Sequence, residues 1–223
     1  MIRLHFFLEG QTEETFQRDT LSLHLVNFNI SADGKLIAHK KTSSRKYKGG
    51  ILDWQKTYND IGRWTKEDDN ADSWFTTMFD LYALPNDFPG YGGAQGETDP
   101  YSKVKFLENA LKNEIKYPRF IPYFQLYEFE ALLFSDLQKI ERQYPACGRE
   151  IQNLVKDVAD SPNPELINDN PETAPSKRII KQIPAYDKKS AGPIIANHIG
   201  LPVLRAKCRH FNEWLTELEK LGR

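Results

Sequence analysis

Apolar residues follow two rhythms along this chain. Ile2–Leu8 (IRLHFFL) is a short apolar run that stops at Glu9-Gly10-Gln11-Thr12-Glu13-Glu14. A short apolar run bounded by glycine predicts a buried strand. Residues 11–28 then carry Phe16, Leu23 and Val26 at helical spacing, which predicts a helix directly after it. Ser73–Asp80 (SWFTTMFD) and residues 119–126 (RFIPYFQL) are two further apolar, aromatic runs that read as strands, and Pro122 marks the second as bulged or at an edge. Residues 35–39 suit a short strand. Residues 51–66, with Ile61 and Trp64, and residues 101–116 predict helices between the strands.

Strands alternating with helices at crossover length predict an α/β fold, with a mainly parallel central sheet flanked by helices. The last third reads as helical. A short helix opens at Pro175-Ser176-Lys177-Arg178, another covers 191–199, and 203–221 forms one or two more. Phe211, Trp214, Leu215 and Leu218 have amphipathic spacing there, which assigns His210 and Trp214 to packing. Residues 1–145 are therefore expected as the α/β core and 146–223 as a helical C-terminal extension packed on it. Residues 157–175, polar and proline-rich, suit a mobile connection. Residues 84–100, turn-rich yet aromatic and just beyond a strand end, suit an active-site lid.

Composition narrows the setting. Of 223 residues, 39% are hydrophobic and 27% charged, enough for a sizeable core. The formal net charge of -1 gives no overall field for a polyanion, so nucleic-acid contact would need local basic clusters. Lys40, Lys41, Arg45, Lys46 and Lys48, with Tyr47 and a Gly49-Gly50 hinge, form one. It reads equally as a solvated loop or as a phosphate contact. Cys147 and Cys208 lack metal-ligand spacing and fit core residues in a reducing compartment. Arg3, His5 and Glu9 break any signal-peptide pattern, and no stretch approaches the roughly 20 apolar residues of a membrane span. A cytoplasmic protein is expected, with no membrane association.

The candidate chemistry is acidic. Glu9, Asp80 and the Glu128/Glu130 pair each stand where a strand ends, and Glu13 falls on the first turn after Glu9. In open parallel sheets, ligands bind in the crevice at those ends. Carboxylates gathered there repel one another, and a divalent cation resolves that repulsion. Oxygen donors without histidine or cysteine sets favour Mg²⁺ or Mn²⁺ over Zn²⁺. The alternative is that Glu13, Glu14 and Glu128 cap helices or meet their dipoles. No Gly-x-Gly-x-x-Gly or P-loop sequence follows any strand, which disfavours a nucleotide-binding domain.

Glu-Gly-x-Thr-Glu after the first strand resembles the opening motif of Toprim domains, especially those of the overcoming-lysogenization-defect nucleases. LEGQTEE, MFDLYALPNDFPG, FEALLFSD and APSKR together, over nearly the whole chain, resemble the bacterial domain of unknown function 4276 family, which is Toprim-like. The resemblance implies Glu9 as the Toprim glutamate, a metal ligand or general acid/base, Glu13 as the second acid, and Asp80 as the first aspartate of a metal-binding Asp-x-Asp. The second aspartate's position holds Tyr82, leaving Glu128, Glu130 or Asp87 to supply that oxygen. Glu130 resembles the acid that opens the helix after the sheet, and Tyr127 stands where the family usually has histidine.

Lys177, Arg178 and Lys188 are then candidates to hold or stabilise a phosphate, although each also suits a solvated surface. The implied function is a Mg²⁺-dependent nuclease of DNA or RNA. Glu9, Lys177 and Arg178 would be catalytic, Glu9, Glu13, Asp80, Glu128 and Glu130 would be metal ligands, and the basic loop with Lys188 would bind nucleic acid. An ATPase encoded alongside, a role in bacterial defence against phage and a homo-oligomer are further expectations. The other reading is a non-catalytic binding or regulatory module for that ATPase.

Overall fold

A computed structural model describes residues 1–37, 51, 53–82, 84–161, 163–167 and 172–223. Lys40, Lys41, Arg45, Lys46 and Lys48 lie outside the described residues. β1 (Ile2–Leu8) buries Leu4, Phe6, Phe7 and Leu8 completely, as its uninterrupted apolar run requires of a central strand. It pairs in parallel with β2 (Ile30–Leu36) on one side and β3 (Ser73–Asp80) on the other, and β3 pairs in parallel with β4 (Phe120–Ile121). The sheet order is β2-β1-β3-β4, and β5 (Phe124–Gln125) also pairs with β3. The fold is α/β, with a mainly parallel five-stranded sheet and flanking helices.

Residues 119–126 form two short strands rather than one. Pro122 has no N–H for the ladder, and threonines of β3 take over. The Thr76 hydroxyl donates to Ile121 O at 2.6 Å, while Thr77 Oγ1 accepts the Tyr123 N–H at 2.7 Å and donates to Tyr123 O at 2.8 Å. The second strand is also displaced from expectation. It covers Ile30–Leu36, not 35–39, because in-register pairing with β1 holds a segment (ISADGKL) too polar to announce itself.

The helix expected over 11–28 is present but not uniform. α1 (Gln11–Phe16) passes into a π-helical turn (Gln17–Leu21), then α2 (Ser22–Leu25) and a 3-10 turn (Val26–Phe28). The wider turn rotates the following residues about the axis. Leu21 and Leu25 are consequently buried, and Leu23 and Val26, expected on the apolar face, are exposed. Gln17 lies inward over β2, where Gly34 admits it. A Cβ on residue 34 would sit 2.5 Å from Leu8 Cδ1 and 2.8 Å from Gln17 Oε1, and both side chains are buried. Gly34→Ala is expected to cost about 1–3 kcal/mol through overpacking. Urea unfolding reads this as a lowered midpoint with an unchanged slope.

α3 (Trp54–Glu67) starts where Asp53 accepts the Lys56 N–H at 3.1 Å, and it buries Ile61 and Trp64. Beyond β3, residues 84–100 include α4 (Tyr91–Ala94) and lead into α5 (Pro100–Ile115), capped by Asp99 on the Ser102 N–H at 2.8 Å. The lid expected at 84–100 is anchored in the core. Leu84, Phe88 and Ala94 are buried, and the Phe88 ring stands edge-on to Trp54 at 4.8 Å and Phe124 at 5.5 Å.

The chain divides into two compact units, Met1–Phe124 with Glu219–Arg223 and Gln125–Leu218. Residue 145, the boundary expected from sequence, lies inside the second. In the first unit, Glu219 Oε1 meets His24 Nε2 at 2.7 Å, and the Arg223 guanidinium lies 5.8 Å from the Phe28 ring centroid. Gly222 lies so close to Phe28 O that no Cβ would fit there.

The second unit begins with 3-10 turns Phe129–Ser135 and Leu137–Arg142 and α6 (Gly148–Asp157). After a further 3-10 turn, Pro164–Leu166, come α7 (Pro175–Gln182), α8 (Lys188–Ile199), α9 (Leu201–Lys207) and α10 (Arg209–Glu219). Its core includes Phe129, Leu133, Leu154, Ile179 and Phe211. Within the stretch 157–175, expected as a mobile connection, residues 162 and 168–171 lie outside the described residues, and Glu165 is fully buried. Its two oxygens accept the His210 and Phe211 N–H groups at 2.9 Å each, capping α10 from a distant segment. Cys147 and Cys208 are both free thiols. Burial pushes the Cys208 thiol up to about 12, so it is an inert core group against Ser135 Oγ at 3.3 Å. Among the described residues no helix is long and apolar enough to cross a membrane.

Candidate functional site

The parallel register that sets Leu8 opposite Met78 carries Glu9 and Asp80 past the same end of adjacent strands. Glu9 is buried, and its Oε2 accepts the Asp80 N–H at 2.9 Å. The side chain thus extends the β1–β3 connection by one bond beyond the ladder. Gly10 follows as the N-cap of α1 and offers no side chain, so the first turn is served by Glu13 and Glu14 through the helix dipole. Glu13 is buried. A Cβ on residue 10 would be 3.1 Å from Glu13 Oε2, a tight contact that the glycine avoids.

The first unit therefore brings Glu9 and Asp80 together at one strand-end corner, with the Glu13 carboxylate near Gly10. Tyr82 and Asp87 follow on the exposed side of the next turn. Within either unit, among the described residues, no three His, Cys, Asp or Glu side chains are grouped so as to enclose a metal ion.

Glu128, Glu130, Lys177, Arg178 and Lys188 belong to the second unit. Tyr127, just before the glutamates, has φ 64, a left-handed conformation uncommon for a bulky residue. Glu128 and Glu130 are both buried. Lys188 Nζ, at the start of α8, lies 2.9 Å from Glu128 Oε2 and 3.1 Å from Glu130 Oε2. Ser176, in the first turn of α7, donates its N–H to Glu128 Oε1 and its hydroxyl to Oε2 at 3.0 Å. Glu128 is thus a helix-capping residue, as one reading of the sequence allowed, but its carboxylate caps α7 rather than the turn it precedes. Tyr186 OH donates to Glu130 Oε1 at 3.3 Å. Burial first, then the charges of Glu130 and Glu128, push that phenol well above the usual tyrosine value, so it remains a donor.

The other basic candidates stand apart from this cluster. Lys177 is exposed on α7. Arg178 donates from Nε to Thr173 O at 2.7 Å and pairs with Asp157 through Nη1. Lys188, a candidate for nucleic-acid contact, bridges two carboxylates. Sequence reasoning missed Ser176 and Tyr186 as partners. Their only signal was adjacency to Lys177 and Lys188 within the same short blocks.

Chemically, the first corner offers hard oxygen donors at a strand end. The second offers a lysine, a hydroxyl and a phenol converging on paired carboxylates. No curated protein and no solved structure matches the chain. The profile of one family matches residues 8–219, nearly its full length: the chain belongs to the family described as Domain of unknown function (DUF4276).

Proposed function

We propose that this protein is a Toprim-like, Mg²⁺-dependent nuclease that hydrolyses phosphodiester bonds of DNA or RNA in the cytoplasm. In this reading it works with an ATPase partner in bacterial defence against phage. The observation that carries the proposal is the strand-end corner, where Glu9 and Asp80 stand at the same end of adjacent parallel strands and the Asp80 N–H donates to Glu9 Oε2 at 2.9 Å. That is where open α/β sheets bind ligands.

The donor set fits the metal. Mg²⁺ is ordinarily held by one or two carboxylates, with its other positions left to water and substrate phosphate oxygens, and it needs no all-protein cage. Glu9 and Asp80 would hold it. When bound, such an ion activates a water and neutralises charge on the phosphate. The chain's own part is to fix the corner. The Glu9–Asp80 bond holds the two strand ends in register. Exposed Lys177, with the basic residues around Lys46, would meet the polyanion's backbone as point charges.

A second reading, a non-catalytic module for an ATPase, draws on a specific observation. Lys188 already balances Glu128 and Glu130, and an ion-pair cluster of that kind suits a structural role for the two carboxylates.

Cleavage assays separate the readings. Purified protein, alone and with an ATPase encoded beside it, is expected to cut plasmid DNA or tRNA in Mg²⁺ or Mn²⁺ and to stop in EDTA. Glu9→Gln and Asp80→Asn, which preserve shape and hydrogen bonding, should each lower the rate by about a hundredfold or more. Circular dichroism should show an unchanged fold. Undiminished cutting by both variants overturns the nuclease reading, and absence of any cutting favours the binding module.

A further inference from the structure

At the opposite end of the same strands lies a second charged cluster. His5, in β1, stands opposite Asp33 of β2 and lies 5.1 Å, centroid to centroid, from the Phe75 ring of β3. Its side chain is only 12% exposed. Nδ1 is 2.7 Å from Asp33 Oδ1 and Nε2 is 3.0 Å from Asp68 Oδ2. An imidazole can donate to carboxylates from both nitrogens only as the cation, because the neutral ring has one donor and one acceptor.

Asp68 begins an acidic connection between α3 and β3. Arg3 Nη2 reaches Asp68, Asp72 and Ser73 Oγ at 2.9–3.0 Å, and Asn70 donates to Asp68 at 2.6 Å. Arg119 and Tyr117 hold Asp69 at 2.9 and 2.8 Å. Three cations from strand segments thus fasten this connection. Arg3 and Arg119 are permanently charged, and His5 alone among the three can lose its charge near neutral pH.

We infer that His5 is a pH-operated clip that fastens Asp68 to the first two strands and gives up its own hold as the medium turns alkaline, loosening residues 68–72 while Arg3 and Arg119 keep theirs. The charged groups facing the ring are Asp33 from β2 and Asp68 from the α3–β3 connection, with Arg3 of β1 acting through Asp68. The bond to Asp33, opposed by partial burial, raises the His5 value above 6.5, and Asp33's charge and Asp68 add to it. For Asp68, burial pulls upward. Bonds from Asn70, Ser73 and His5 and the charge of Arg3 outweigh it and hold the carboxyl well below the usual carboxylate range.

The signs follow. A raised histidine stabilises fully below its unfolded value of 6.5, and that contribution is lost as pH rises through the folded value. A depressed aspartate contributes above its unfolded value of 3.8 and loses this only as pH falls through the folded one. The clip is therefore closed from mildly acidic pH up to the raised His5 value. The shorter bond keeps the proton at Nδ1 on Asp33, so Nε2 deprotonates and faces Asp68 as a lone pair, and the Asp68 end opens.

Two NMR readouts on the intact protein test this, and neither depends on nuclease activity. Long-range proton–nitrogen spectra should show His5 titrating above 6.5, with Nε2 losing its proton. Amide protection at residues 69–73 should fall by about tenfold through that titration. Asp68→Asn, which preserves the side-chain shape, should lower the His5 midpoint and abolish the protection response. His5→Gln should show no response over the same range. Titration of His5 at or below 6.5, or protection that does not change through the titration, overturns the clip. So does a wild-type response in Asp68→Asn.

Discussion

Replacing Lys188 with methionine is expected to destabilise the protein by about 2–4 kcal/mol, read from urea or guanidinium unfolding. The substitution keeps most of the aliphatic stem but removes the ammonium that lies 2.9 Å from Glu128 Oε2 and 3.1 Å from Glu130 Oε2. Both carboxylates are buried, so the variant leaves two like charges without the lysine that bridges them, while the Ser176 and Tyr186 hydrogen bonds remain. Breaking a fully buried pair typically costs about 3–5 kcal/mol. The Lys188 side chain is 40% exposed, and solvent screening brings the expectation below that range. Lys188→Arg should recover part of the loss. Pairing Lys188→Met with Glu130→Gln should yield a coupling of about 1–3 kcal/mol in a double-mutant cycle. A Lys188→Met variant as stable as the parent would mean that the three side chains do not interact as described.

The second large effect is expected at Glu165. Glu165→Ala removes a fully buried carboxylate that takes two backbone N–H groups at the start of α10, and it leaves both donors buried. Each orphaned donor carries a penalty of about 1–3 kcal/mol, so a total loss of about 2–4 kcal/mol is expected with some relaxation. Glu165→Gln retains one acceptor oxygen and should lose about half as much. Hydrogen exchange at His210 and Phe211 localises the effect. Those two amides should lose protection before the rest of the helix does.

The sequence announced some of these features and hid others for identifiable reasons. β1 and β3 were legible because both are buried on two faces and so read as continuous apolar runs. β2 was not, since ISADGKL carries little apolar content and owes its place to pairing with β1. The register shift in the first helix was invisible, because nothing in Gln17–Leu21 marks a π turn. Leu23 and Val26 consequently looked like core residues. Pro122 did signal its interruption, but the threonines that bridge it lie on another strand.

At the candidate site, Glu9 and Asp80 could be read as strand-end acids from their position alone. The partners of Glu128 could not. Lys188 is sixty residues away, and only the packed helices bring it near. Glu165, in a polar and proline-rich stretch, resembled linker composition while serving as a buried cap.

The connectivity of the two units bears on how the chain folds as it is made. The second unit is one uninterrupted segment, Gln125–Leu218, and all of it has emerged once residue 218 clears the ribosome. The first unit has its sheet earlier but not its last contacts, because His24 must wait 195 residues for Glu219, and Phe28 for Gly222 and Arg223. Such long loop closures are slow to form and come late. During synthesis the edge around residues 24–28 therefore waits for partners that are translated only after the whole second unit.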